Sequence, residues 1–302
     1  MYQKIGLTVN RLACDLLPRK AGDRIPSISE YQQRFQVARG TVQNAINYLI
    51  ENGAICLIRK GHLGTYIEQL DYRRLQECSF TRELLGTMPL PYSHCYQGLA
   101  TALYKMLSDF SFNLVYARGA ESRLRLVDSG VCQFTVCSRY AAQEAIENNW
   151  DVEIVADLGP GSYLSRHVLV LRDSLATGIG PGMRVAYDRA SVDHRSITEM
   201  VTAGVPNVEL VEMRAHKAVA AIRSGSIDAS VWNLDEILES GYDGLNVVPV
   251  DCFVDVSRFS SAVLVIRKGE DAVGQILRQS IDPNAVCRIQ DGVRQGTIPA
   301  DY

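Results

Sequence analysis

The chain has 302 residues, of which 47% are hydrophobic and 22% charged, a composition typical of a globular protein with enough core for two domains. Its net charge of −3 argues by itself against a nucleic-acid-binding protein. The charge is unevenly distributed, however: residues 1–68 carry nine Lys and Arg against five Asp and Glu, a net +4, which leaves −7 on the rest of the chain. A basic N-terminal segment on an acidic body is expected where one end of a protein contacts a polyanion, although chance can give a small domain the same imbalance.

The eight cysteines are scattered among apolar neighbours, and none forms a Cys-x-x-Cys pair. We therefore expect reduced thiols in a cytoplasmic protein. No group of Cys and His has the spacing of zinc ligands, so we expect no metal and no cofactor. Residues 1–11 lack the continuous apolar run of a signal peptide, and no segment approaches the roughly 20 apolar residues of a membrane span, so we expect no membrane partner.

The N-terminal segment predicts two helices before residue 36. Apolar residues at helical spacing indicate a first helix over Tyr2–Leu17. Ser27-Ile28-Ser29-Glu30 has the pattern of a capping box, in which Ser27 caps the second helix and Glu30 reaches back to the chain before it. This second helix is expected to end at about Phe35.

A third helix is predicted over Ala38–Asn52, and it is the candidate recognition helix. Its apolar stripe consists of Val42, Ala45, Ile46, Leu49 and Ile50. Its opposite face carries the hydrogen-bonding side chains of Arg39, Thr41, Gln43, Asn44 and Asn47. Taken alone, the same pattern is equally typical of an ordinary surface helix with a solvated polar face.

A basic hairpin follows this helix. Strands are predicted over Ile55–Ile58 and Thr65–Ile67, with Arg59, Lys60 and His62 at the tip of the loop that joins them. Cations at a hairpin tip beside a helix-turn-helix suit the phosphate backbone or the minor groove of DNA. The order of elements therefore predicts a winged helix-turn-helix.

This stretch resembles the GntR family of bacterial transcription regulators over about the first 68 residues. The matching segments are Gly22-Asp23-Arg24-Ile25-Pro26-Ser27, Val37-Ala38-Arg39-Gly40-Thr41-Val42 and the Gly61…Gly64-Thr65-Tyr66 hairpin. The resemblance implies binding to a double-stranded DNA operator, with Arg39 reading bases while Thr41 and the region of His62 hold the backbone. The predicted DNA-binding residues are Ser27, Arg39, Gly40, Thr41, Gln43, Asn44, Arg59, Lys60 and His62.

The sequence also departs from the GntR pattern. Ala38 stands where that family usually has a capping Ser or Thr, Gly40 where it often has Thr, and Ile28-Ser29 where Glu-Arg usually follows Pro-Ser. Loss of a cap typically costs ~1 kcal/mol of helix stability. We expect modest DNA affinity for one copy, which a homodimer on two half-sites would restore.

The rest of the chain is predicted to be a polar linker over residues 69–79 and a large domain over residues 80–302, in which strands and helices alternate. Strands are predicted over Glu83–Met88, Phe112–Tyr116, Phe134–Cys137, Arg184–Tyr187, Val208–Val211 and Ala229–Trp232, and helices over Tyr96–Ser108, Glu121–Asp128, Ser196–Ala203 and His216–Ser224. The same strand and helix order occurs twice. This alternation predicts an α/β architecture with a mostly parallel sheet.

Two phrases mark the repeat: the segments Leu126–Phe134 and Ala221–Trp232 each run from a helix through Ser-Gly into a short strand. They resemble the repeated unit of type 2 periplasmic binding proteins, a fold that also forms the effector domain of LysR-type regulators. The fold class is therefore expected to be α/β, with an N-terminal winged helix-turn-helix over residues 1–68 and a two-lobed, periplasmic-binding-protein-like domain over residues 80–302. The combination resembles the YhfZ-type group of bacterial regulators.

A ligand of such a fold lies in the crevice beyond the carboxyl ends of the strands. The candidate ligand-binding residues in the strand-end loops are Tyr92, Arg118, Ser122, Ser138, Arg139, Tyr163, Asp188, Arg189, Ser191 and Trp232. Three arginines beside helix starts indicate an anionic effector, such as a carboxylate or a phosphorylated metabolite. Each arginine taken alone is also typical of a surface or lobe-bridging ion pair, and each aromatic residue of the core or rim.

No nucleophile elbow, phosphate-binding loop or zinc-protease motif occurs, so we expect no enzyme. The sequence favours a ligand-responsive bacterial transcription regulator. The alternative is a small-molecule-binding protein or enzyme on the same two-lobed fold, whose N-terminal module no longer binds DNA. A third hypothesis is a purely structural or dimerising body without an effector.

Overall fold

The computed structural model describes residues 2–79, 83–240, 244–250 and 257–302. Cys252 and the expected start of the large domain at residue 80 lie outside these ranges. The chain divides into two compact units, the first comprising Met1–Leu85, Lys105–Asn113 and Gly269–Ser280, and the second Gly86–Tyr104, Leu114–Lys268 and Ile281–Tyr302. The described cysteines form no disulfide. Among the helices in these ranges, none is both long and apolar enough to cross a membrane.

Residues 2–78 fold as three helices, a hairpin and a fourth short helix. The elements are α1 (Tyr2–Leu16), β1 (Arg24–Ile25), α2 (Ile28–Phe35), α3 (Arg39–Glu51), β2 (Ile55–Arg59), β3 (Thr65–Leu70) and α4 (Tyr72–Cys78). A turn of 3-10 helix over Gly61–Leu63 joins β2 to β3. β3 pairs antiparallel with both β1 and β2, which gives a small three-stranded sheet. The predicted helices and hairpin are thus present, with ends shifted by a few residues.

Helix α3 packs its apolar side against α1, and Val42, Ala45 and Leu49 on that side are fully buried. Ile46 is half-buried, and Ile50 is 41% exposed, so the predicted stripe is wrong at Ile50. Eight residues after Val42, Ile50 lies about 80° around the helix, which is the edge of the face that α1 covers.

Residues 69–79, predicted as a polar linker, contain the end of β3 and helix α4. Leu75 and Gln76 of α4 are buried. The Gln76 side chain donates from Nε2 to the Ser111 carbonyl (2.9 Å) and accepts from the Ser111 amide (2.8 Å), so the two groups satisfy each other. Gln76 shows that a polar residue of this segment is part of a packed helix, because a buried amide is tolerated when it is hydrogen-bonded.

The rest of the chain forms two five-stranded sheets. The first has the strand order β5-β4-β6-β13-β7 and the second the order β10-β9-β11-β8-β12. The strands of the first are β4 (Leu84–Met88), β5 (Phe112–Tyr116), β6 (Phe134–Ser138), β7 (Val152–Asp157) and β13 (Ala262–Arg267), and those of the second β8 (His167–Leu171), β9 (Arg184–Tyr187), β10 (Glu209–Glu212), β11 (Ala229–Asn233) and β12 (Asn246–Pro249). In each sheet the first three strands of a repeat have the spatial order second, first, third, and a strand that follows the other sheet comes next. The shared order confirms the predicted repeat.

Each sheet is mixed but mostly parallel, as predicted: β8 is the one reversed strand described in the second sheet, and β13 runs against β4, β6 and β7 in the first. β4 pairs parallel with β6, and β9 parallel with β10 and β11. β13 runs antiparallel to β6 and β7, and β8 antiparallel to β11 and β12. The two reversed strands are β8 and β13. Each follows a strand of the other sheet in the chain, β7 and β12 respectively, and runs opposite to its neighbours in its own sheet.

Helices cover the sheets. They are α5 (His94–Met106), α6 (Ala120–Asp128), α7 (Arg139–Glu147), α8 (Val192–Thr202), α9 (Ala218–Arg223), α10 (Leu234–Glu239), α11 (Ser257–Ser260), α12 (Asp271–Ser280) and α13 (Pro283–Arg294). The second sheet buries apolar side chains on both faces, with Leu169, Val185 and Phe259 in one cluster and Val170 and Ile222 in the other. Burial on both faces explains why β8 is a continuous apolar run. Below, the first lobe means the first sheet with α5–α7, and the second lobe the second sheet with α8–α10.

Candidate functional sites

The polar face of α3 is open to solvent. Arg39, Gly40, Gln43 and Asn44 are exposed, and Thr41 is half-buried. Ala38 occupies the N-cap position with φ −66° and ψ 148° and makes no side-chain capping bond. Arg39 is therefore the first residue of a helix whose leading amides are not capped by a side chain, which leaves them available to an anion such as a phosphate.

Helix α2 has the cap that α3 lacks. The Ser27 hydroxyl accepts from the Glu30 amide (3.2 Å), and the Glu30 carboxylate accepts from the Ser27 amide (2.7 Å). This confirms the predicted capping box. Ser27 is exposed, so its hydroxyl lies at the surface while it caps the helix.

The hairpin presents three exposed cationic or polar side chains: Arg59 at the end of β2, Lys60, and His62 in the 3-10 turn. The Lys60 ammonium lies 4.7 Å from the centre of the Tyr66 ring, a cation–π distance. Arg24 lies beside the hairpin, because a Cβ added at Gly64 would meet its Nε at 2.8 Å. Arg24 was not predicted as a site residue, since it belongs to a segment far from the hairpin in sequence.

A buried carboxylate holds α1 to α2. Asp15 pairs with Arg19 (3.0 Å) and with Arg34, and it accepts a hydrogen bond from the Tyr31 hydroxyl (2.7 Å). Burial, and then the Asp15 charge, raise the pKa of Tyr31, so this phenol remains a hydrogen-bond donor. The network fixes the position of the helix that precedes the recognition helix.

A cavity of about 600 Å³ lies in the second unit, at strand ends of both lobes. It is lined by Pro89, Leu90, Tyr92, Tyr96, Ala117, Arg118, Gly119, Ala120, Arg123, Tyr163, Leu164, His167, Asp188, Ala190, Ser191, Val192, Asp193, His194, Arg214, Ala215, His216, Trp232, Asn233 and Glu236. Six of the ten predicted ligand-binding residues line it: Tyr92, Arg118, Tyr163, Asp188, Ser191 and Trp232. Its volume fits a small metabolite.

Four predicted ligand-binding residues lie outside this lining. Ser122 is exposed in the first turn of α6. Arg139 pairs with Asp157 (2.5 Å), and Arg189 lies 4.0 Å from Glu212. Both arginines therefore form ion pairs within the protein, which was the alternative to a ligand-binding role. Ser138 caps α7 by accepting from the Ala141 amide (3.1 Å).

One cavity residue that was not predicted from the sequence is Arg123, which is 2% exposed and lines the cavity. Its guanidinium donates to the carbonyls of Ala117 (2.9 Å) and Val136 (3.3 Å) and to the Tyr163 hydroxyl (3.0 Å). All three acceptors are neutral, and among the described residues no carboxylate forms an ion pair with it. The signal was present in sequence, because Ala120, Arg123 and Val127 occupy one helical face and an arginine there interrupts an apolar stripe.

Two helices begin at the cavity, α6 in the first lobe and α8 in the second. Their N-cap residues, Gly119 and Ser191, make no side-chain capping bond. Gly119 has φ +77°, and a Cβ there would lie 3.0 Å from the Ala190 carbonyl oxygen, so both backbone conformation and space require glycine. Uncapped helix N-termini from both lobes therefore present amide N–H groups and a partial positive charge to the cavity.

Two of the three carboxylates in the lining are held by the protein. Asp188 accepts from the amides of Ala190 (3.2 Å) and Ala215 (2.8 Å), and Asp193 accepts from the Ser138 hydroxyl of the other lobe (2.6 Å). Burial raises the pKa of Asp193 to about 6 against the opposing effects of Ser138 and Arg123. Glu236 is different: within the described ranges its carboxylate has no hydrogen-bond or ion-pair partner.

The apolar wall of the cavity carries polar atoms without partners. Tyr92, Tyr96 and Tyr163 form a chain of edge-to-face contacts at 5.7 and 5.3 Å. The buried Nε1 of Trp232 and the Nδ1 atoms of His167 and His194 have no hydrogen-bond partner in the part of the chain that the structure describes. Burial lowers the pKa of His167 to about 3 and that of His194 to about 4, so both rings are neutral near pH 7. Orphaned buried polar atoms indicate groups that a bound molecule would satisfy.

Ser230 and His194 offer no activated nucleophile. The Ser230 hydroxyl is 1% exposed and donates to the Val231 carbonyl at 2.9 Å, whereas the His194 Nε2 lies 3.5 Å away. Ser230 is also absent from the cavity lining. The arrangement is suited to binding a small molecule by charge and hydrogen bonds.

The duplicated five-stranded sheets and the cavity at their strand ends place the large domain in the class of periplasmic-binding-protein-like folds. SsuA of Escherichia coli, a periplasmic aliphatic sulphonate binding protein, is 14% identical, with a TM-score of 0.55 over 70% of this chain and 74% of that chain. An ancestral arginine-binding protein solved with arginine bound is 13% identical, with a TM-score of 0.52 over 71% of this chain and 97% of that chain. At these identities the likeness concerns the fold.

The chain belongs to the YhfZ family, because residues 71–302 match the family described as the YhfZ C-terminal domain. Residues 20–67 match a family described as a helix-turn-helix domain. YhfZ of Escherichia coli strain K12, described as an uncharacterized protein, is 29% identical over 303 residues, which cover 99% of this chain and 98% of that protein. The crystal structure of YhfZ from Shigella flexneri is 30% identical, with a TM-score of 0.61 over 73% of this chain and 93% of that chain.

Proposed function

We propose that this protein is a ligand-responsive transcription regulator that binds an operator through a GntR-like winged helix and a small anionic metabolite in the cavity of the large domain. The observation that carries the effector part is Arg123, a buried cation at a cavity where two uncapped helices begin. Among the described residues no carboxylate forms a direct ion pair with it, and the Asp193 carboxylate affects it only electrostatically. A buried charge of this kind is costly unless an opposite charge reaches it. A carboxylate, sulphonate or phosphate group would supply that charge.

Contacts between the lobes offer a route from ligand to DNA. Ser138 of the first lobe donates to Asp193 of the second (2.6 Å), and Arg195 of the second pairs with Glu144 of the first (2.6 Å). A ligand that touches both lobes favours the arrangement in which these contacts form. It can shift operator affinity only by its differential binding to the two states, typically by about 1–3 kcal/mol. As in LysR-type regulators, the large domain would then control paired DNA-binding heads in a homodimer.

Arg123→Gln tests the effector part, because glutamine keeps hydrogen-bond donors in place but removes the charge. Small anions of three chemistries, namely carboxylates, alkanesulphonates and phosphate esters, are titrated against the full chain by calorimetry. At least one class should bind the unaltered protein and lose about tenfold or more in affinity in Arg123→Gln. Equal binding to both proteins, or binding by no class, would overturn the anionic effector. An unchanged melting temperature of the variant shows that the fold is intact.

DNA binding is tested at Arg39, which is exposed at the start of α3. A labelled duplex from the gene's own upstream region is titrated with the full chain at several salt concentrations. Arg39→Ala should weaken binding to this duplex by about 1–3 kcal/mol, whereas the same change at Arg223, on α9 of the large domain, should have no effect.

The second candidate is a small-molecule-binding protein or enzyme whose N-terminal module no longer binds DNA. It is favoured by the missing cap at Ala38 and by Gly40, which adds no side chain to the exposed face. If Arg39→Ala binds the duplex as the unaltered protein does, the recognition helix does not read DNA. That result, with ligand binding intact, would decide for this candidate.

A further inference from the structure

The cavity has one acidic group that the protein leaves unused. Glu236 is the third residue of α10 and lines the cavity from the second lobe. Asp188 and Asp193 are held by backbone amides and by Ser138, but the Glu236 carboxylate has no partner among the described residues. A half-buried carboxylate without a partner loses hydration and gains nothing in return, unless a bound molecule provides a cation or a donor.

The electrostatic surroundings of Glu236 favour an added cation. Burial, and then repulsion from Glu239 on the same helix, raise the pKa of Glu236 to about 7, and Arg118 on the β5–α6 loop lowers it only in part. Glu239 is itself occupied, because it accepts from the His94 amide at 2.8 Å and lies 3.3 Å from the His94 ring. Glu236 therefore has a like charge one helical turn away and no ion-pair partner among the described residues.

An aromatic surface lies within electrostatic reach of the same carboxylate. Tyr92 and Glu236 both line the cavity, and Tyr92 is 55% exposed overall. Loss of hydration at its phenol, and then the Glu236 charge, raise the pKa of Tyr92. Tyr92 also packs edge-to-face against Tyr96 at 5.7 Å. A carboxylate beside tyrosine rings is a common setting for a bound ammonium group, because the ring faces add cation–π attraction.

We propose that the ligand is amphoteric: its anionic group binds at Arg123 and the N-termini of α6 and α8, and an ammonium group binds between Glu236 and the Tyr92 ring. This inference rests on the proposed effector function and specifies its ligand class as a small amino acid or a related amino-carboxylate. The two opposite charges fix the direction in which the molecule lies in the cavity. A simple carboxylate would satisfy Arg123 and leave Glu236 without a partner.

The test compares matched ligands that differ by one charge. Straight-chain amino acids of three to six carbons, with the amino group at each position in turn, are titrated by calorimetry at pH 8. Each is compared with the parent carboxylate, which lacks the amino group, and with the parent amine, which lacks the carboxylate. At least one amino acid should bind about tenfold or more tightly than both of its parents.

The variant Glu236→Gln should remove this advantage, and its affinity for the parent carboxylate should not fall, because the change takes a negative charge out of the cavity. Glu209→Gln, an exposed carboxylate on β10 outside the cavity lining, is the matched control and should behave as the unaltered protein. The advantage should also shrink from pH 8 to pH 6, since protonation of Glu236 removes the attraction. The pKa of Asp193, which burial raises to about 6, falls at the end of this range, and His216 also lines the cavity, so the pH series is repeated with Glu236→Gln. In that variant the difference between an amino acid and its parent carboxylate should not change from pH 8 to pH 6, and a change that persists would reject Glu236 as its source.

Each outcome separates the ligand class from the proposed function. Carboxylates that bind as tightly as the amino acids, with loss of binding in Arg123→Gln, would reject the amphoteric ligand and keep the anionic effector. An advantage that survives Glu236→Gln would place the ammonium elsewhere and reject the assignment. Absence of binding by every compound in the series would reject the amino-carboxylate and the carboxylate effector together.

Discussion

Gly119→Ala should destabilise the large domain and weaken ligand binding. Gly119 has φ +77° and ψ 126°, and an added Cβ would meet the Ala190 carbonyl of the opposite lobe at 3.0 Å. Backbone strain of this kind costs about 1–3 kcal/mol when an L-residue must adopt it. The reduced entropy of the unfolded chain offsets about 0.4–1 kcal/mol of that cost. The two ranges leave a net loss of about 0–2.6 kcal/mol, and the added contact with the Ala190 carbonyl places the expected value in its upper half.

The assay is urea unfolding of the full chain, followed by tryptophan fluorescence. Both tryptophans, Trp150 and Trp232, lie in the second unit, so the signal reports on the domain that contains Gly119. The matched control is Gly40→Ala, because a Cβ there meets no atom within 4 Å and the residue belongs to the first unit. Gly40→Ala should leave the tryptophan transition in place. A Gly119→Ala protein with unchanged unfolding and unchanged ligand affinity would refute the argument that the two lobes require glycine at this contact.

Three further predictions concern the helix-turn-helix and the buried histidines. Ala38→Ser should stabilise the N-terminal domain by about 0.5–2 kcal/mol in a thermal melt followed by circular dichroism, because Ala38 has nearly the backbone angles of the capping residue Ser27; no gain would contradict the missing cap. Asp15→Asn should destabilise the same domain by about 1–3 kcal/mol, since it weakens a buried group that accepts from three side chains, and an unchanged melt would show the network to be dispensable. His194, whose folded pKa of about 4 lies below its ordinary value, binds fewer protons when folded, so stability should fall as the pH drops from about 6.5 towards 4; the fall should be smaller in His194→Gln, and identical pH profiles would contradict the burial argument.

Local signals in the sequence predicted the helix-turn-helix well. The capping box at Ser27 and Glu30 depends on residues three positions apart, and the apolar stripe of α3 depends on one helix packing against another. The exposed Ile50 was predicted as buried, because the width of the covered face depends on α1, which the α3 sequence does not encode. The α4 segment looked like a linker, because the partner of its buried Gln76 lies at Ser111, 35 residues away.

The cavity was predictable as a place but only partly as a set of residues. The strand-end loops contain Tyr92, Arg118 and Trp232, which line one cavity. Arg123 and Glu236 were missed, because both lie within helices rather than in the loops that the strand-end rule selects. Arg139 directly follows a strand and was therefore predicted, but it forms an ion pair with Asp157 on β7 and does not line the cavity. Such pairings depend on tertiary packing, which one sequence does not specify.

Control of DNA binding by a molecule in the Arg123 cavity is tested most directly by fluorescence anisotropy. The full chain and Arg123→Gln are titrated onto the labelled upstream duplex, with and without the small-metabolite extract of the cells that produce the protein. The unaltered protein should change its DNA affinity by about fivefold or more when the extract is added, which is the lower end of typical allosteric coupling. Arg123→Gln should bind the same DNA equally well without extract and should not respond to it. An equal response of both proteins, or no response of the unaltered protein, would contradict the role of the cavity as the effector site.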